Sequence, residues 1–151
     1  MFIKLTRSAA LPLEGLAVEG MEQPTVDLVN NSADALARTT QTDLAKEMGL
    51  KAVHLTPENW AAWGTYALTL VRGGEAEKAK TALAKSREYV KQAGVPEQFT
   101  VRLGYVDCWI ALAQGDKGTA KKHFEQLKTA LGSAVTPLDQ RDFTEIEAAL
   151  Q

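Results

Sequence analysis

The sequence predicts an all-α protein made of short helices folded back on one another. Three observations carry that expectation. Apolar residues recur at helical spacing from Pro24 onward, start and stop residues interrupt them at regular intervals, and no segment alternates convincingly as a strand would. The chain has 151 residues, room for one ordinary domain, with 45% hydrophobic and 24% charged residues. That composition excludes a disordered or collagen-like chain.

The first helix is expected from about Thr25 to Arg38, with Val26, Val29, Ala33, Leu36 and Ala37 as its apolar stripe. Thr39-Thr40-Gln41 breaks it. Thr40, with Asp43 three residues later, reads as the N-terminal cap of a second helix ending near Leu55. Thr56-Pro57-Glu58 reads as the next start, because proline suits a first helical position and an acid suits the positive helix end. That third helix carries Trp60, Trp63, Tyr66, Ala67, Leu70 and Val71 and stops at Gly73-Gly74. A fourth runs from Glu75 to Ala93, with Gly94 as a left-handed stop. Val95-Pro96-Glu97 opens a fifth through Leu112, Asp116 caps a sixth from Lys117 to Leu131, and Thr136-Pro137 opens a seventh.

Seventeen Lys and Arg against nineteen Asp and Glu give a formal charge of −2, so no strong field favours nucleic acid or anionic lipid. The single cysteine, Cys108, excludes an internal disulfide and fits a reducing compartment; its apolar helical neighbours predict a buried, inert thiol. Lys4 and Arg7 imitate the start of a signal peptide, but Pro12, Glu14 and Gly15 break the apolar stretch that follows. No window approaches the roughly 18 apolar residues of a membrane span. A soluble cytoplasmic protein is expected, with no nucleic-acid and no membrane partner.

Three alanines give the chain a period. Ala45 and Ala79 are 34 residues apart, Ala79 and Ala120 are 41 apart, and each opens the second helix of a pair. The extra seven residues are about two helical turns, which keeps the same side inward to within about 20°. Twelve positions before each alanine stands another small residue, Ala33, Ala67 and Cys108, so both helices of a pair can approach closely.

These positions resemble the tetratricopeptide repeat, matched best by Trp63, Tyr66, Ala67, Leu70, Ala79 and Leu83, with Gly74-Glu75 and Gly115-Asp116 at the family's turn and Ala52-Val53-His54-Leu55-Thr56-Pro57 like its repeat ending. Gly49, Gly104 and Asp107 depart from the pattern where bulkier apolar residues are usual. The resemblance implies antiparallel helix pairs stacked as a short right-handed superhelix, with repeats over 24–56, 57–95 and 96–136 and a capping helix over 137–151.

It also implies a scaffold or adaptor that holds a partner peptide in a concave groove, lined by the first helix of each pair. Carried onto this chain, the groove residues are Asn30, Asn31, Asp34 and Arg38, then Thr65, Leu68 and Arg72, then Arg102, Tyr105, Trp109 and Leu112. Tyr105, Trp109 and Leu112 share one helix face, as aromatic anchors would, although core packing of the two aromatics is the alternative. A small secretion-type chaperone holding a client segment is a second reading, and a helical enzyme with an unrecognised site a third.

No pairing of carboxylates or of nucleophile and base falls on one face, and His54 and His123 lack ligand neighbours at metal spacing. No enzyme activity, catalytic residue, metal or cofactor is therefore expected. Residues 1–23 match no repeat, yet carry Phe2, Ile3, Leu5, Leu11, Leu13, Leu16 and Val18. They read either as a cap on the first repeat or as an occupant of a groove, the chain's own or that of a second copy in a homodimer.

Overall fold

A computed structural model describes the chain from residue 23 to residue 151; the expectations for the N-terminal segment, cap or dimer contact, lie outside the described residues. Those residues form seven α-helices and no strand: α1 (Gln23–Leu36), α2 (Thr42–Leu55), α3 (Trp60–Arg72), α4 (Ala76–Ala93), α5 (Gly104–Ala113), α6 (Lys117–Leu131) and α7 (Pro137–Ala149). The all-α expectation holds. No helix among them is long and apolar enough to cross a membrane.

The first six helices form three hairpins, α1 with α2, α3 with α4, and α5 with α6, and the first helices α1, α3 and α5 lie side by side. The turns explain two of these hairpins. Gly74 and Gly115 adopt φ values of 86° and 76°, which a side chain resists. In each turn the next residue's N–H reaches back five residues, Glu75 to the Leu70 carbonyl and Asp116 to the Ala111 carbonyl, closing the helix end. Thr40 stands 34 residues before Gly74. That turn is closed differently: the Thr39 hydroxyl donates to the Leu36 carbonyl and accepts from the Gln41 N–H.

Inside the hairpins the small residues make close approach feasible. Ala33, Ala67 and Cys108, and their counterparts Ala45, Ala79 and Ala120, are all fully enclosed at 0% exposure. The Ser86 hydroxyl of α4 donates to the Trp60 carbonyl at the far end of α3, which fixes that pair as antiparallel. The departures from the repeat pattern have local explanations. At Gly49 an added Cβ would lie 3.1 Å from the Tyr66 ring and 3.3 Å from its Cα, so the α2–α3 contact needs glycine. At Gly104 the space belongs to Leu127 of α6, and Asp107 pairs with Arg87 of α4 at 3.0 Å.

Three starts differ from expectation. Helix α2 begins at Thr42, and Gln41 precedes it with no side-chain cap, so Thr40 does not serve. Helix α3 begins at Trp60, capped by Asn59, whose Oδ1 accepts from the Ala61 and Ala62 N–H groups at 2.8 and 3.1 Å. Thr56 turns the other way and donates its hydroxyl to the Ala52 carbonyl at the end of α2. The stretch after Pro96 makes two 3-10 turns, Glu97–Phe99 and Val101–Leu103, before α5 proper. The caps read at Asp116 and Thr136 are present as expected.

Candidate binding cleft

The side of the three hairpins against which α7 lies is termed the inner face, and α7 pairs with all three hairpins there. Helix α7, expected as an end cap, buries Phe143 and Ile146 with Tyr105 and Cys108 of α5 and Phe124 and Leu127 of α6. It also reaches across to the other two hairpins. Asp142 receives both carboxylate contacts from Arg38 Nε at 3.0 Å, and Glu145 pairs with Arg72. Asp139 takes Arg102 at 2.7 and 3.1 Å and the Tyr105 hydroxyl at 2.7 Å.

Asp139 thus has two duties, because its carboxylate also accepts from the Thr136 N–H and completes the capping box that starts α7. Burial disfavours its charge, but the hydrogen bonds from Arg102, Thr136 and Tyr105 outweigh that and hold the carboxyl well below the usual range. Tyr105 moves the opposite way: burial, then its bond to Asp139, keeps the phenol protonated far above its usual range. A depressed carboxyl in the folded state gives stabilisation that is complete above about pH 4 and is lost as the pH falls below it. Urea midpoints measured between about pH 5 and 2.5 should therefore fall more for the native chain than for Asp139→Asn. Parallel slopes would remove Asp139 from the account.

Beside α7 the inner face remains open. A cleft of about 220 Å³ is lined by α3 residues Trp60, Ala61, Gly64, Thr65 and Leu68, by the turns before α5, and by the start of α7. Phe99 and Leu138 line it while remaining 63% and 45% exposed. Its charged groups are Asp34, Arg38, Arg102 and Asp139, and Thr65, Tyr105 and Thr136 add hydroxyls.

Six of the eleven residues expected to line a groove meet in this cleft: Asp34, Arg38, Thr65, Leu68, Arg102 and Tyr105. The other five do not. Asn31 is exposed, and Asn30 is partly buried with its Oδ1 unpaired among the described residues. Arg72 stacks over the Trp109 ring at 4.1 Å and donates to the Ala37 carbonyl at 3.2 Å, so each covers the other. Leu112 packs against the α5–α6–α7 core. Tyr105 is only 4% exposed, and its ring is a core residue, so the aromatics expected as anchors are largely spent on packing. Phe99 is the open aromatic, missed because its segment read as continuous helix. Cys108 is fully enclosed; burial, with Asp107 nearby, pushes its thiol up to about 12.

This arrangement sets exposed apolar groups beside paired charged ones. The chain matches no protein-family model, no curated protein and no solved structure.

Proposed function

We propose that this chain is a tetratricopeptide-like scaffold that binds another protein through its inner face and makes or breaks no bond. The observation that carries the reading is the open cleft, with Phe99 and Leu138 presented to solvent beside Leu68 and Thr65. A partner's apolar side chain gains most where such groups can be covered together, and a few buried anchors dominate affinity at small interfaces. Micromolar affinity is the expected order for a contact of this size.

The repeat reading draws on two periodic features. The six small residues at matching positions are equally enclosed, and the turns at Gly74 and Gly115 share one hydrogen-bond pattern 41 residues apart, the interval between Ala79 and Ala120. Stacked hairpins leave an inner surface along their first helices, which is where the cleft lies.

Peptides selected from a displayed library supply the test, with tryptophan fluorescence and calorimetry as readouts. Phe99→Asp should weaken selected peptides about tenfold or more, some 1.4 kcal/mol, with little change in melting because the side chain is exposed. Peptides that bind Phe99→Asp and Leu138→Asp as tightly as the native chain would overturn the reading.

A further inference from the structure

Three arginines on the inner face, one from each hairpin, converge on a single helix. Arg38 follows α1, Arg72 ends α3, and Arg102 precedes α5; their carboxylates are Asp142, Glu145 and Asp139 of α7. Spacing of three residues sets those acids along one stripe, beside the apolar pair Phe143 and Ile146. Helix α7 therefore lies on this face as a separate acidic amphipathic helix would.

The basic side of the contact is held partly without α7. Arg38 is positioned by the Asp34 carboxylate at 2.7 Å and the Asp34 carbonyl at 2.8 Å. Arg72 is positioned by the Ala37 carbonyl and the Trp109 ring. Two guanidinium groups fixed from behind form a preorganised receptor, which spares an incoming helix the ordering of long side chains. With a formal charge of −2 the whole chain does not attract acids, so selectivity is local to this face.

We propose that the inner face recognises an acidic amphipathic helix of the form Asp-x-x-Asp-aromatic-x-Glu-aliphatic, that α7 is its internal occupant, and that a partner helix of this pattern binds by taking the place of α7. The proposal rests on the reading of the inner face as a polypeptide-binding surface. Exchange is feasible because the incoming aromatic and aliphatic groups refill the positions of Phe143 and Ile146 as its acids replace the departing ones. Helix α7 then sets the threshold a partner must exceed, reducing apparent affinity by the fraction of molecules in which it is seated.

The probe is a fluorescein-labelled peptide of residues 136–151, titrated against the full chain and against Asp142→Asn with Glu145→Gln, which loosens α7 and leaves the arginines. The doubly substituted chain should bind at least tenfold tighter than the native one, more weakly as salt rises, and adding Arg72→Gln should reverse most of the gain. In the native chain, saturating peptide should speed hydrogen exchange in α7. A folded double variant that binds no better, or bound peptide with α7 still protected, overturns the proposal. Should circular dichroism show the double variant unfolded, Glu145→Gln alone carries the test, with about a threefold gain expected and no gain decisive against it. Library peptides that depend on Phe99 yet ignore this competitor would sink the α7 proposal and leave the cleft reading standing.

Discussion

Phe124→Ala should lower unfolding stability by about 3–5 kcal/mol, the range for emptying a buried aromatic site. Phe124 is 2% exposed, packs edge-on to Phe143 with ring centres 5.4 Å apart, and lies in the core that joins α5, α6 and α7. Its loss removes apolar burial and a ring–ring contact together, and the neighbours are helices whose backbones cannot collapse fully into the space. Urea denaturation followed by circular dichroism measures it. A loss under about 1 kcal/mol would mean that α7 is not seated on that core. Phe124→Leu should retain most of the stability, since it keeps the site apolar and most of its volume.

Arg38→Ala should cost about 3 kcal/mol, the low end for breaking a buried ion pair from one side. The Arg38 and Asp142 side chains are 14% and 8% exposed, so Asp142 would be left charged and poorly hydrated against the inner face. Asp34 would lose its partner as well, but its side chain is 38% exposed and water can replace the arginine. The remedy distinguishes the cause. Combining Arg38→Ala with Asp142→Asn should recover part of the loss, because the stranded charge is gone while the missing arginine packing remains. Strict additivity of the two single changes would mean that the pair contributes no coupling. Hydrogen exchange should place the effect of Arg38→Ala chiefly in α7, the element that its partner occupies.

Which features the sequence declared, and which it hid, follows from how far apart the cooperating groups lie. The caps at Asp116 and Thr136 were legible from adjacent residues, Gly115 before one and Pro137 after the other, and their partners Thr119 and Asp139 lie only three residues on. Thr136-Pro137 and Thr56-Pro57 look alike, but only the first has an acid three residues on. In its absence Asn59 takes the helix end, and Thr56 closes the helix before it. The small residues at matching spacing announced the hairpins, since helices approach closely only where side chains are short.

The site was legible in part for the same reason. Arg38, Arg72 and Arg102 were picked out as basic groups on the inner face, yet their counter-charges lie 104, 73 and 37 residues away along the chain. The acids at 139, 142 and 145 drew no reading from the sequence, because three-residue spacing in the last helix does not tell which partners they meet without the tertiary arrangement. Phe99 gave no periodic signal, because 3-10 turns present side chains out of phase with the helix that follows.

The enclosed sulfur of Cys108 has a practical consequence. An alkylating reagent needs both access and a thiolate, and the native fold denies both. Modification of this single cysteine should thus count molecules whose α5–α6–α7 core has opened, making the chain its own gauge of how often that core parts.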